Sequence, residues 1–143
     1  MVDRFKMIAS GYVFFVRGEK ILLLKRKNTG YMDGWHSVPA GHIEDNESLT
    51  TGTLREIIEE VGIRLAKDDV KLVHVMHRKK KDIRMDFFFL ATDWMGEIVN
   101  VEPGKCEELL WFPIDELPEN TVPYIRTAIE NWQKKIFYSE VGW

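Results

Sequence analysis

The rhythm of apolar and polar positions changes several times along this chain, and the changes divide it into elements. Residues 7–16, MIASGYVFFV, are rich in aromatic and β-branched side chains and read as a strand. Arg17-Gly18-Glu19 is a short turn, and KILLLKRK at 20–27 returns as the second strand of a hairpin. Residues 28–41 read as loop, punctuated by Gly30, Gly34, Pro39 and Gly41. From about Ser48 to Val61 the pattern is helical, and Gly62 stands where a helix stops. Strands follow at 69–78 and 84–94, on either side of a charged turn at 79–82. A loop over 95–106 leads to the short strand LLWFPI and a turn around Pro118. The last helix is expected from about Val122 to Phe137, with Thr121 as its N-cap. Strands with one central and one terminal helix predict an α+β fold, a mixed sheet with helices on its faces.

The central helix carries the first chemical signal. At about 100° per residue, Leu54, Ile57, Ile58 and Val61 share one apolar arc, expected to bury against the sheet. Glu56, Glu59 and Glu60 fall on the opposite side as close neighbours. The ordinary meaning of such a stretch is a solvated amphipathic face. A solvated face interleaves cations, however, and here only Arg55 stands beside the acids. Each like-charge pair costs roughly a few tenths of a kcal/mol. The acids also sit toward the helix C-terminus, the unfavourable end of the macrodipole. A hard divalent cation would offset both costs. Magnesium fits carboxylates, waters and phosphates, with manganese the usual substitute. Zinc would call for His or Cys, which this face lacks.

Size and charge narrow the picture. A chain of 143 residues suggests one domain, 1–143. A net charge of −3 argues against a surface for extended nucleic acid. The one cysteine, Cys106, excludes an internal disulfide and fits a reducing compartment. The N-terminal apolar run is too short to span a bilayer. The expectation is a cytoplasmic protein with no membrane partner.

Residues 41–63, GHIEDNESLTTGTLREIIEEVGI, resemble the Nudix box, G-x5-E-x7-R-E-U-x-E-E-x-G-U with U apolar, at every defined position. The matches are Gly41, Glu47, Arg55, Glu56, Ile57, Glu59, Glu60, Gly62 and Ile63. The flanking strands, the LLWFPIDELP segment and the final helix also resemble the Nudix order. The resemblance, closest to the small MutT-like nucleotide pyrophosphohydrolases, implies an α/β/α sandwich, with the box helix and the C-terminal helix on the two faces. It implies magnesium-dependent hydrolysis of a phosphoanhydride in a nucleoside diphosphate linked to another group, most plausibly a nucleoside triphosphate. A nucleotide sensor that does not turn its ligand over is the alternative, disfavoured because every box acid is present.

By the resemblance, Glu56, Glu59 and Glu60 with the Gly41 carbonyl would hold metal. Glu56 is the first choice for general base, and Arg55 would orient the glutamates by ion pairing. Glu47 has two readings: a brace for the loop–helix geometry, or an acid that merely suits a helix N-terminus. Glu102, Glu107 and Glu108 are candidates for a further acid, and each reads equally well as a surface residue. Related sequences often carry E-P-E-K-C where this chain has Gly104 in place of the second acid. Arg26 reads either as a phosphate contact or as a solvated strand end. Asn120 reads either as a base-reading amide or as turn chemistry before the last helix. Tyr31 and Trp35 each read either as a ring that stacks on a base or as one that closes the core, core being preferred for Trp35, and at least one of Phe87, Phe88 and Phe89 would face away from the core. His36 and His42 read either as phosphate contacts or, by preference, as solvated loop residues, and Lys79–Lys81 as a soluble hairpin tip. Homodimerisation is common in the family, and the sequence does not decide it.

Overall fold

A computed structural model describes residues 2–143. Its eight strands form a mixed sheet: β1 (Ile8–Arg17), β2 (Lys20–Arg26), β3 (His36–Ser37), β4 (Ala40–His42), β5 (Lys71–Lys79), β6 (Ile83–Ala91), β7 (Cys106–Pro113) and β8 (Tyr138–Val141). Helix α1 is Leu49–Val61 and helix α2 is Pro123–Gln133. The main path runs β3-β2-β1-β6-β5-β8, with β4 paired to β1 and β7 to β2. β1 lies parallel to β6 and β5 parallel to β8, while the other pairs are antiparallel.

Strand β1 explains the layering. Its side chains alternate between two cores, both covered by a helix. Tyr12, Phe14 and Val16 pack with Ile125, Ala128 and Ile129 of α2. Val13 and Phe15 pack with Leu54, Ile57 and Val61 of α1. A strand covered on both faces has no reason to alternate apolar with polar, hence its unbroken apolar run.

Several expectations change. The loop expected over 28–41 contains β3 and β4, both too short to show a period. Strand β6 ends at Ala91, three residues short of the expected end. Helix α2 stops at Gln133, where Ile136 N–H reaches back to the Asn131 carbonyl at 2.8 Å and Lys135 takes a left-handed φ of 60°. That closure is usually marked by glycine, so it left no mark here. The freed residues run on into β8, which pairs with β5 and went unpredicted. Thr121 does not cap α2; Val122 is the N-cap, and the Thr121 hydroxyl donates to the Pro118 carbonyl at 2.7 Å. Phe88 and Phe89 are buried in opposite cores, and Phe87 packs beside Phe89. With both sheet faces covered, none of the three faces away from a core.

Helix α1 matches its expected span. Ser48 Oγ accepts from Thr51 N–H at 3.2 Å, and Gly62 ends the helix with φ 70°. Its buried face is turned from the expected one. Thr53 is fully buried, whereas Ile58 is only half-buried and joins neither core. The turn brings Glu56 and Glu60 from the expected solvent side to the margin that meets β4.

Candidate active site

Three pieces of backbone converge at this margin. Strand β4 pairs with β1 so that Gly41 lies opposite Gly11. Glu60 accepts from the Ala40 N–H through both carboxylate oxygens, at 3.0 and 3.3 Å. The Glu56 side chain lies directly against Gly41, where a β-carbon would strike it. Box acids thus touch the strand carrying the box glycine, although about twenty residues of chain separate them.

Arg55 organises the rest. Its Nε and Nη2 donate to the two oxygens of Glu47 at 3.0 and 2.8 Å. Nη1 donates to Glu56 at 3.0 Å and lies 3.4 Å from Glu59. Nη2 also reaches the His42 carbonyl at 3.3 Å. Glu47 in turn accepts from the Glu44 N–H at 2.7 Å. The Glu47 carboxylate therefore braces the loop onto the helix, and its hydrogen bonds with Arg55 hold its pKa down at about 2. A lysine has the charge but not the fork. Arg55→Lys is expected to lower kcat/KM about 10–100-fold, the usual cost of loosening a ligand's support. Steady-state turnover at saturating magnesium checks it.

The acids at the β4 margin are electrically uneasy. Burial pushes the Glu60 carboxyl up to about 8, with Glu56 and Glu102 adding repulsion. Burial also raises Glu56, against the pull of Arg55. Glu59 is the exposed member of the set. Among the described residues no three acidic, imidazole or thiol groups enclose an ion by themselves. The donor set nevertheless suits a hard cation: shielded carboxylate oxygens, mutually repelling, with a backbone carbonyl beside them.

The sign of the pH effect follows from Glu60. The folded protein holds this proton to about pH 8, and the unfolded chain releases it near the ordinary 4.5. Between those values the folded state binds more protons, so stability falls as pH rises. Thermal melts of the metal-free protein are expected to show Tm falling from pH 4.5 to 8, with magnesium restoring it at the upper end.

Beside these acids opens a cleft of about 550 Å³. Gly41 and Glu60 form one wall, and Arg26, Arg78, Lys80, Lys81 and Arg84 bring five cations to the others. Arg26 sits beyond a bulge in the β2–β7 ladder. It is no solvated strand end: Nε donates to the Tyr31 carbonyl at 2.6 Å and Nη2 to Thr29 at 3.0 Å. Asp33 fastens the same loop through Thr29 and Gly30. Tyr31 lines the cleft, its ring between Arg26 and Lys80.

The NUDIX domain family matches residues 6–132. The chain belongs to the Nudix family. It is 28% identical over 124 residues to the 8-oxo-dGTP diphosphatase of Buchnera aphidicola subsp. Schizaphis graminum, covering 86% of this chain and 91% of that one. It is 31% identical over 114 residues to the NAD-capped RNA hydrolase NudC of Salmonella heidelberg, spanning 80% of this chain but 42% of NudC. The MutT NUDIX hydrolase structure from Burkholderia pseudomallei superposes with a TM-score of 0.79 at 30% identity, covering 87% of this chain and 97% of that one.

Seen as a Nudix domain, the remaining residues sort by position. Asn120 does not line the cleft. Its amide donates to the Gly34 carbonyl at 2.9 Å and its oxygen lies 3.2 Å from His36 Nδ1, so both ends hold the loop before β4. His36 is accordingly buried rather than solvated. His42 is exposed and receives Arg84 at 2.9 Å. Of the late acids, Glu107 pairs with Lys25 at 2.9 Å, whereas the charge of Glu102 is felt by both Glu56 and Glu60. Lys80 and Lys81 lie exposed in the β5–β6 hairpin turn, as expected, and also line the cleft. Sequence reading missed one feature altogether, the buried pair Arg78–Asp86, with Nε to Oδ2 at 2.7 Å. Its signal was a lone acid inside the apolar strand RMDFFFLA. No helix among the described residues is long and apolar enough to cross a membrane.

Proposed function

We propose that this Nudix domain is a magnesium-dependent nucleoside triphosphate pyrophosphohydrolase. One observation carries the reading: the buried Glu60 carboxylate, repelled by Glu56 and Glu102, lines a cleft that also presents Arg26, Lys80 and Lys81, with Arg84 beside Asp82. Neither half suits a neutral ligand. A polyphosphate suits both, meeting the cations directly and the acids across divalent metal. The relatives named for 8-oxo-dGTP and for NAD-capped RNA both act on nucleotides. The first is covered nearly whole, which favours a small nucleotide over an RNA end.

Gly41, Glu56, Glu59 and Glu60 would hold the cation, with Glu102 a further acid whose charge reaches Glu56 and Glu60. When bound, such an ion neutralises phosphate oxygens and makes a coordinated water more acidic. Glu56 serves as the proton acceptor, because it is half-shielded, raised by burial and held in place by Arg55. Arg55 and Glu47 keep that carboxylate aimed at the strand margin. Arg26 meets the phosphates with the guanidinium nitrogen that its loop contacts leave over. Tyr31 lines the same cleft with its ring against Arg26 and Lys80, and would meet the base once either cation turns to the phosphates.

The test is turnover of nucleoside triphosphates with magnesium, manganese or chelator, with products identified by 31P NMR. Nucleoside monophosphate plus pyrophosphate, abolished by chelator, is the expected result. Tight binding across the panel without cleavage would establish a sensor instead.

A further inference from the structure

The cleft has a floor that the reaction does not use. Arg78 lines it while only 7% exposed. Its Nε is bonded to Asp86 at 2.7 Å, and its guanidinium lies over the Tyr124 ring, 3.7 Å from the centroid. Tyr12 donates to the other Asp86 oxygen at 2.9 Å, and the Tyr12 and Tyr124 hydroxyls are 3.2 Å apart. Asp86 is completely buried. Asp86 thus clamps one edge of the arginine and Tyr124 one face, with Tyr12 holding both of them in place. Its two terminal nitrogens have no protein partner among the described residues, yet they are not sealed from the cleft.

Burying an arginine and leaving the N–H donors of both terminal nitrogens unspent is costly unless something else completes them. Asp86 already balances the charge, so the missing partner need not be an anion. Phosphates have better hosts in Arg26, Lys80, Lys81 and Arg84 of the same cleft. The remaining guanidinium edge is a rigid pair of parallel donors, pinned before any ligand arrives.

We propose that Arg78 reads the nucleobase, its two terminal nitrogens donating to two adjacent acceptor atoms on one base edge. The inference rests on the cleft being a nucleotide site. Guanine offers such a pair as O6 and N7. Cytosine offers O2 and N3. Adenine sets its N6 amine beside N7 and N1, and thymine sets an N3–H between its carbonyls, so both turn a donor toward a donor. Guanine oxidised at C8 carries a proton on N7 and loses its pair as well.

The experiment compares kcat/KM with magnesium for dGTP, dCTP, dATP, dTTP, 7-deaza-dGTP and 8-oxo-dGTP on the wild type and on Arg78→Lys. A bidentate contact predicts at least about tenfold preference for dGTP or dCTP over dATP and dTTP. If dGTP is preferred, 7-deaza-dGTP and 8-oxo-dGTP should each fall by about the same factor. Arg78→Lys keeps the charge beside Asp86 and should collapse the ratio of dGTP or dCTP to dATP turnover. Equal rates on the four bases, a preference for dATP, dTTP or 8-oxo-dGTP, or an unchanged ratio in Arg78→Lys would overturn the proposal. The wild-type panel decides even if the variant fails to fold. Should nothing be cleaved, the functional reading fails, and calorimetric binding of the same panel still decides whether Arg78 selects the base.

Discussion

Glu60→Gln is expected to cut turnover by about 10³-fold or more and to leave the fold at least as stable as before. The two halves have separate causes. Glu60 accepts the Ala40 N–H, and an amide oxygen in the same place accepts it equally well. The helix therefore keeps its tie to β4. What disappears is the charge, which burial makes expensive to hold. Without it, the fall in Tm between pH 4.5 and 8 should shrink to what Glu56 leaves, and the variant should melt at or above the wild-type temperature at pH 8. Turnover moves the other way, because a neutral amide is a poor ligand for a hard cation. Loss of several kcal/mol of transition-state stabilisation corresponds to about 10³-fold or more. Paired thermal melts and kcat/KM values make the test. If the variant kept activity within tenfold of wild type in magnesium, Glu60 would not be a ligand. If it melted well below wild type, the carboxylate would be a structural anchor.

That opposition between stability and activity also bears on what the sequence could reveal. The acids of α1 were conspicuous because their cost is local: like charges one turn apart can be read from spacing alone. Glu47, Arg55 and Glu56 were legible through their match to the Nudix box, whose positions lie within one short stretch. Strand β1 was legible because burial on both faces leaves a continuous apolar run. Asn120 was misplaced because its partners, Gly34 and His36, lie more than eighty residues away, and only the folded chain shows both ends of its amide spent. The Arg78–Asp86 pair escaped because its meaning depends on a diagonal contact between adjacent strands, set by the β5–β6 register. Strand β8 escaped because the helix before it ends at a lysine in a conformation usually given to glycine. Chemistry carried on one helix could be read along the chain, whereas specificity built by pairing distant elements could not.

Two glycines show how closely fold and site are joined, and their alanine variants should fail in different ways. Gly11 of β1 and Gly41 of β4 lie opposite each other in the sheet, beneath the same helix. A β-carbon on Gly11 would run into the Thr53 side chain, which is fully buried and bonded to the Leu49 carbonyl at 2.8 Å. Thr53 has nowhere to go, so the helix must lift. Gly11→Ala is expected to cost about 3 kcal/mol, roughly 10 °C in Tm. A β-carbon on Gly41 would meet the Glu56 side chain instead. That side chain is half-buried and flexible, so it can swing aside and the fold should survive. Its carboxylate then no longer lies at the strand margin. A displacement of about 1 Å at a reacting group is enough for a loss of about 10²-fold. Gly41→Ala should therefore melt within a few degrees of wild type and turn over about 10²-fold more slowly. Gly104→Ala, with open space around the site, should change neither property. If Gly41→Ala lost stability as Gly11→Ala does, Glu56 would be part of the packing. If it kept full activity, Glu56 would not be the proton acceptor. The expected split places the boundary between core and site on one face of α1, with Thr53 seated in the sheet and Glu56 three residues on, held at the β4 margin only because Gly41 has no side chain.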